Sequence, residues 1–241
     1  TDPDAAVALL ALLRAHCGDC ITAFELISRP CLDLVFKNIP ETRDPLGTQH
    51  AWYVLTELGD AGDDAALQAR VEAALTTAAE RGLVIDAALA ASQAQAASFW
   101  KLRESIPDAA RLEGLVYRHD ISVAVSRIPQ FIRTAGAALE AKFPGVRVIC
   151  FGHLGDGNLH YNAFVPGRGR DDAAARNATD VNQLVHDVVH SMDGSISAEH
   201  GIGMSKRAEL ARCKDPLELE MMRAVKQALD PRGLMNPGKV L

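Results

Sequence analysis

The sequence feature that most constrains the fold is the segment Val148–Val165, which reads VICFGHLGDGNLHYNAFV. Two apolar, β-prone runs flank the step Asp156-Gly157, and this arrangement is a strong short-range signal for a β-hairpin. With these two residues as the loop, His153 and His160 lie directly opposite each other. Opposed residues have Cβ atoms roughly 4.5–5.5 Å apart, so the two imidazoles can converge on one metal ion.

The hairpin also sorts its side chains, because a strand alternates its faces. One face carries the polar set His153, His160 and Asn162. The other face carries the apolar set Leu154, Leu159 and Tyr161. The polar face is therefore the predicted site, and the apolar face is predicted to pack in the core.

A second group of possible ligands follows in Ser197–Met204, SAEHGIGM. A catalytic metal usually takes a third protein ligand and keeps one position open, and Glu199 is the predicted third ligand of His153 and His160. Glycines after His200 let the backbone turn closely under a ligand. Each half alone has a simpler interpretation, either a cross-strand His–His contact on a solvated face or an acidic loop before a helix. Their combination favours a metal or catalytic site.

The bulk properties argue against several classes of function. The chain has 241 residues, 48% hydrophobic residues and a net charge of −6, and without a basic stripe neither nucleic-acid binding nor attraction to anionic membranes has support. The apolar run Ala5–Leu13 is too short to span a bilayer and lacks the positive leader of a signal peptide. An odd count of five cysteines argues against a disulfide framework and favours a reducing cytoplasm.

Periodicity and chain breakers predict a mixture of helices and strands. Helices are predicted at residues 4–16, 30–37, 63–81, 92–106, 128–143, 173–192, 206–212 and 216–229. Besides the hairpin, strands are predicted at 21–28, 51–57, 83–86 and 117–125, and polar loops at 38–48 and 168–172. Pro107 is expected to end the helix before it. The mixture predicts an α+β domain with helices on one face of a largely antiparallel sheet.

The motifs GHLGDGNLHYN, SAEHGIGMSK and DPRGLMNPGKVL resemble the C-terminal half of the FAD-linked 2-hydroxy-acid dehydrogenases. That family acts on D-2-hydroxyglutarate, D-lactate or glycolate. The resemblance implies a ferredoxin-like, substrate- and metal-binding domain over residues 1–241, with a tail at roughly 215–241 that packs on a flavin domain. It also implies that FAD is held mainly by an N-terminal domain, which this sequence does not include. That domain is expected either in cis or as a separate chain.

The resemblance assigns substrate-binding roles to two arginines. Arg103, in the run WKLRE, occupies the family position that binds a substrate carboxylate, which suits a planar, bidentate group. Its alternative is a solvated helix residue paired with Glu104 or Glu113. Arg118 stands where the family usually has lysine, so the charge is kept with a different reach.

Three further positions bear on substrate and cofactor. Asn162 matches a family asparagine near the substrate, and Asn236 is similar to a residue that reaches the flavin, although on sequence alone Asn236 is a turn residue. Some hydroxyglutarate enzymes have a threonine four residues after the helix arginine. Pro107 stands there in this chain and has no hydroxyl, so the exact substrate stays open.

These inferences predict a mechanism. His153, His160 and Glu199 hold a divalent ion, with Zn²⁺ expected, while hydride leaves the substrate's α-carbon for the flavin. His200, neutral near pH 7 and adjacent to the site, is the expected general base.

The expected partners are a small 2-hydroxy acid, the flavin-binding domain, an electron acceptor and a second copy in a homodimer. The expected location is the bacterial cytoplasm, or the membrane periphery through the electron acceptor. Two other classes stay open. A stand-alone zinc hydrolase could use the same ligands, and a non-catalytic module could dock to a partner.

Overall fold

Five strands form one sheet in which neighbouring strands run antiparallel. The computed structural model describes residues 2–62, 64–166 and 172–241. The strands are β1 (Ile21–Ser28), β2 (Trp52–Leu58), β3 (Tyr117–Ser122), β4 (Arg147–His153) and β5 (Asn158–Phe164), in the spatial order β2-β1-β4-β5-β3. The predicted polar loop at 168–172 lies almost entirely outside the described residues.

The helices begin where local chemistry favours a helix start. They are α1 (Pro3–Cys17), α2 (Arg29–Asn38), α3 (Asp64–Glu80), α4 (Gln93–Glu104), α5 (Ile106–Glu113), α6 (Ile128–Lys142), α7 (Asp172–His190), α8 (Arg207–Cys213) and α9 (Pro216–Leu229). Asp2 caps α1 by accepting the N–H of Ala5 at 2.8 Å. Proline occupies the first turn of α1, α2, α5, α6 and α9, where its missing N–H costs no helical bond.

Two hydrophobic clusters cover the two faces of the sheet. On one face, Leu159 and Tyr161 of β5 pack with apolar residues of α1, α6 and α7. On the other, Ile149 and Phe151 of β4 pack with apolar residues of α2 and α5. The predicted α+β, ferredoxin-like class with a largely antiparallel sheet covered by helices is confirmed. The expectation that helices lie on one face was wrong, because α2 and α5 bury the second face.

Two element predictions near breakers were also wrong. Pro107 does not simply end a helix; it lies in the first turn of α5, which follows α4 directly. Residues 83–86 form no strand, because the N–H groups of Leu83 and Val84 both turn back to the carbonyl of Ala78 at the end of α3. A segment that closes a helix end in this way does not offer those groups to a sheet.

The hairpin forms, but its register differs from the predicted one. Phe151, not His153, lies opposite His160, because a short 3₁₀ turn at Leu154–Asp156 lengthens the loop. The pairing has moved by two residues along one strand. An even shift keeps every side chain on its predicted face, so the polar and apolar faces are as expected.

Within residues 2–62, 64–166 and 172–241, none of the helices combines the length and the apolar character that a membrane crossing requires.

Candidate active site

The first part of the site is a histidine held by a buried carboxylate of the neighbouring strand. Glu25 on β1 lies opposite His153 on β4, and Glu25 Oε1 forms a short hydrogen bond with His153 Nδ1. Glu25 is only 1% exposed. When the Glu25 carboxylate accepts this bond, the ring proton is on Nδ1 and the lone pair on Nε2 is left for a ligand. Carboxylate–histidine pairs of this kind orient metal ligands.

Glu199 lies between the two histidines of the hairpin. Its Oε1 is 3.3 Å from His153 Nε2, and its Oε2 is 3.8 Å from His160 Nε2. Ligand atoms that bind one Zn²⁺ tetrahedrally at roughly 2.0–2.2 Å lie about 3.3–3.6 Å from one another. Two imidazoles and a carboxylate are also a donor set that catalytic zinc takes. Glu199 therefore contacts both histidines, each through a different oxygen, and these residue types suit a divalent ion. The three residues do not each place one ligand atom within 4.8 Å of the other two; among the described residues only Asp120, His160 and His200 meet that condition.

Asp120 is a functional candidate that the sequence reasoning missed. It lies on β3 opposite His160 and is 2% exposed. Its Oδ2 accepts the backbone N–H groups of Glu199 at 2.9 Å and of His200 at 2.8 Å. Its Oδ1 is buried and has no hydrogen-bond partner among the described residues. The available signal was an acidic residue inside a predicted strand, because a buried carboxylate needs a specific partner.

His200 lies beside His160 and Asp120, and these three residues together with His153 and Glu199 are called the histidine cluster below. Its ring stacks on that of His160, with centroids 5.6 Å apart and planes at 22°. Its Nδ1 lies 3.6 Å from Asp120 Oδ2, and its side chain is 64% exposed. Asp120, His160 and His200 each place one possible ligand atom within 4.8 Å of the others. These residues form a second possible metal-ligand set, which shares His160 with the predicted set.

The local electrostatics fix the charge states of two members. Burial and the charge of Arg103 lower the pKa of His160, against the opposite influence of Asp120 and Glu199. His160 is therefore a neutral imidazole near pH 7, the form that binds metals. Burial alone would raise the pKa of Asp120, but the N–H groups of His200 and Glu199 hold that pKa below its usual value. Asp120 is therefore ionised.

The loop that carries Glu199 and His200 is anchored at several points. Lys206 Nζ donates to the carbonyl of Ile196 at 2.9 Å and to Ser197 Oγ at 3.1 Å. Ser195 and Ser122 of β3 exchange two backbone hydrogen bonds at 2.8 and 2.9 Å. The loop position is thus set by these tertiary contacts and by the half-buried Lys206, together with Gly201 and Gly203, whose φ angles are +73° and +54°.

Arg103 points into the same region from α4, and the alternative of a solvated helix residue was wrong. Its side chain is 10% exposed, and its Nε donates to Glu25 Oε2 at 2.6 Å. Its guanidinium carbon lies 4.7 Å from the centre of the Phe151 ring, which in turn contacts the ring of His160 at a centroid distance of 4.9 Å. Glu25 therefore links Arg103 to His153 through its two oxygens.

Arg118 and Asn162 lie on the histidine face further along the sheet. Arg118 on β3 is opposite Asn162 on β5, and each is two residues from a member of the cluster, Asp120 or His160. Arg118 is exposed. Asn162 is buried, and its Oδ1 accepts the N–H of His119 at 3.3 Å.

Asn236 lies apart from this network. It is exposed in a turn with φ of +48°, and its carbonyl accepts the N–H of Lys239 at 3.1 Å. In the described part of the chain it makes no hydrogen bond or ion pair with the histidine cluster. Its predicted contact with a flavin stays a prediction.

Comparison with known protein families gives one match over almost the whole chain. Residues 1–240 match the model of the C-terminal domain of FAD linked oxidases. The chain is 38% identical over 223 residues to the D-2-hydroxyglutarate dehydrogenase of Stutzerimonas stutzeri (strain A1501), covering 91% of the chain and 47% of that relative. It is 37% identical over 238 residues to the D-2-hydroxyglutarate dehydrogenase of Xanthomonas citri pv. viticola, covering 98% and 49%. The chain thus spans about half the length of these relatives.

Solved structures support the fold. The structure of p-cresol methylhydroxylase with substrate bound matches with a TM-score of 0.66 at 13% identity, covering 100% of this chain and 50% of the other. The 4-ethylphenol oxidase from Gulosibacter chungangensis matches with a TM-score of 0.56 at 14% identity, covering 100% and 51%. At these identities the likeness concerns the fold alone.

Proposed function

This chain belongs to the family of C-terminal domains of FAD-linked oxidases, and from this premise we propose that it is the substrate- and metal-binding part of an FAD-dependent D-2-hydroxy-acid dehydrogenase. The single observation that carries the proposal is the position of Glu199 between His153 and His160. Three such donors beside a buried arginine suit a ligand that has both a hydroxyl and a carboxylate. The curated relatives named above point first to D-2-hydroxyglutarate, with D-lactate and glycolate as further candidates.

The metal proposed for this site is Zn²⁺, held by His153, His160 and Glu199. The chemistry supplied by the bound groups is polarisation of the substrate hydroxyl by the cation and acceptance of hydride by FAD. His200, stacked on His160 and largely exposed, takes the hydroxyl proton on a ring nitrogen. The product is the corresponding 2-oxo acid.

The carboxylates of the substrate are proposed to bind the two arginines. Arg103 Nε donates a hydrogen bond to Glu25, and this bond aligns the guanidinium plane. The two terminal nitrogens of Arg103 then donate to the substrate carboxylate. Arg118, exposed on the same face of the sheet, extends the positive region along β3. Asn162 adds an amide between Arg118 and the histidines. Pro107 offers no hydroxyl here, so a second carboxylate, such as that of D-2-hydroxyglutarate, would bind without a threonine.

The C-terminal segment is proposed to pack on the flavin-binding domain, in cis or as a separate chain. Along α9, side chains four residues apart form an apolar stripe that is at least 60% exposed: Leu217, Met221, Val225 and Leu229. Leu234 and Met235 continue it. A contiguous exposed apolar surface of this kind marks an interaction site. Asn236 follows the stripe directly, which agrees with its predicted contact with the flavin.

We propose a bacterial cytoplasmic protein that passes electrons to a separate acceptor, at the membrane periphery if that acceptor lies there, and that forms a homodimer. These statements are tested by fractionation and by the mass of the assembled protein in solution.

The proposal is tested by oxidation assays on the chain together with its flavin-binding domain. D-2-Hydroxyglutarate, D-lactate, D-malate and glycolate are offered with an artificial electron acceptor. We expect oxidation of at least one D-2-hydroxy acid, its loss after chelation, and its return with added Zn²⁺. Hydrolytic activity without flavin would favour a zinc hydrolase instead. If the protein binds no metal and oxidises none of these acids, the result would favour a non-catalytic module that docks to a partner.

A variant distinguishes the two possible metal-ligand sets. His200→Ala should abolish turnover while the bound metal stays, because His200 is the base and not a ligand. The exposed His16→Ala is the matched control. Loss of the metal from His200→Ala would favour the set Asp120, His160 and His200.

A further inference from the structure

The hydrogen bonds of the buried, ionised Asp120 side chain are unevenly shared between its two oxygens. One oxygen, Oδ2, serves two backbone N–H groups of the loop, those of Glu199 and His200. The other oxygen, Oδ1, has no partner among the described residues although solvent does not reach it. An unsatisfied buried acceptor is costly, and in native proteins such a group calls for an explanation. A donor that reaches Oδ1 in the working state would satisfy this acceptor.

Two ring nitrogens are close enough to be that donor. His160 and His200 each have a nitrogen within 4.8 Å of a carboxylate oxygen of Asp120. His160 is largely buried, and its Nε2 faces Glu199. His200 already has Nδ1 at 3.6 Å from Asp120 Oδ2, and its exposed side chain is free to turn. His200 is therefore the better partner.

We propose that Asp120 is the positioning residue of His200: Oδ2 fixes the backbone at Glu199–His200, and Oδ1 accepts the Nδ1–H of the His200 ring after that ring turns from its present position 3.6 Å from Oδ2. This inference rests on the proposed function and deepens it. With the proton held on Nδ1, the lone pair of His200 lies on Nε2 and faces the substrate hydroxyl. One buried carboxylate thus sets both the place of the base and its tautomer.

The decisive variant is Asp120→Asn, because asparagine separates the two roles. Its carbonyl oxygen can still accept the backbone N–H groups of the loop, whereas its NH₂ group cannot accept a proton from Nδ1. We expect kcat for the D-2-hydroxy acid to fall at least about 100-fold, by analogy with the loss of a base-orienting carboxylate. KM and bound metal should stay within about threefold. Asp156→Asn, the same change at an exposed position of the hairpin turn, should leave all three unchanged.

A spectroscopic measurement tests the contact between Asp120 and His200 without requiring turnover. In the protein labelled with ¹⁵N-histidine, His200 should be the Nδ1–H tautomer in the wild type and a mixture in Asp120→Asn. If the wild type oxidises no hydroxy acid, the proposed function fails, while the tautomer still decides on Asp120. Wild-type kcat and an unchanged tautomer in Asp120→Asn would reduce Asp120 to a loop anchor. Loss of the metal from that variant would make Asp120 a ligand, and either result overturns the inference.

Discussion

Glu25 joins two groups of the candidate site that the chain carries far apart. It sits on β1, while His153 is on β4 and Arg103 on α4, and both contacts are made by one buried carboxylate. Removing it would leave the Arg103 guanidinium as an uncompensated buried charge and His153 without a partner that fixes its tautomer.

Glu25→Gln is therefore expected to have two effects. The free energy of unfolding should fall by about 3–5 kcal/mol because of the buried charge of Arg103. Metal affinity should fall roughly 10–100-fold because His153 loses its orienting partner. Urea unfolding and metal titration measure the two effects separately. The exposed Glu104→Gln should change neither, and an unchanged metal affinity in Glu25→Gln would restrict Glu25 to balancing Arg103.

Two buried histidines give the protein a defined response to acid. His119 on β3 and His186 on α7 contact edge to face with centroids 5.6 Å apart. Burial lowers the pKa of His119 from 6.5 to about 4, and burial also lowers the pKa of His186 against the influence of Glu209. Between about pH 4 and pH 6.5 the unfolded chain therefore binds more protons than the folded protein.

The free energy of unfolding should be highest above about pH 6.5 and should decrease as the pH falls through this window, because unfolding takes up protons. The contribution of His119 at pH 4 is at most roughly 3 kcal/mol. Urea midpoints between about pH 7 and pH 4 measure it. His119→Gln should flatten the profile and the exposed His16→Gln should not. A wild-type profile that is flat down to about pH 5 would contradict the prediction.

At the scale of elements, the hairpin turn depends on one glycine. Gly157 has φ of +77°, and a Cβ there would lie 2.1 Å from the carbonyl oxygen of Val123. The same two residues are joined by the bond from Val123 N–H to the Gly157 carbonyl at 3.1 Å. The turn is thus held in contact with Val123, directly after β3, and a side chain at position 157 would disrupt this contact.

Gly157→Ala should destabilise the protein by about 1–3 kcal/mol from backbone strain, with a further loss from the clash at Val123. Gly155→Ala is the matched control, since its nearest neighbour would be a flexible arginine end, Arg14 Nη2, at 3.6 Å. Its effect should stay within about 0.5 kcal/mol. Thermal unfolding compares the two, and equal losses would mean that the turn is not held by Val123.

At the scale of the whole molecule, α9 is an element without a hydrophobic partner on one side. Leu219 is buried, whereas the stripe of Leu217, Met221, Val225 and Leu229 is exposed. A helix face of this kind gains stability when another surface covers it. The flavin-binding domain is the proposed cover.

Met221→Glu should therefore weaken the assembly and leave the domain itself intact. We expect the FAD content of the assembled protein to fall and its unfolding midpoint to drop, since a charge would be buried at the interface. The 241-residue chain alone should keep its helix content in circular dichroism. Glu220→Gln, on an exposed neighbouring position, serves as the control. Unchanged flavin content in Met221→Glu would remove α9 from the interface.

The sequence by itself determined which residues share a face and which residue types could bind a metal. Alternation along a strand has a period of two and needs no knowledge of the partner strand. His153, His160 and Asn162 were therefore placed together correctly even though the register was predicted two residues off. The third ligand candidate, Glu199, followed from its residue type and from the family motif.

Only the tertiary structure decided the register and the partners of the buried charges. Glu25 meets His153 across 128 positions of sequence, and Asp120 meets His200 across 80. Such pairs form because helices and neighbouring strands exclude water from both faces of the sheet, so that each carboxylate must find a donor at close range. No local pattern encodes that encounter, and for this reason the two acids that hold the site were found in the fold and not in the motif.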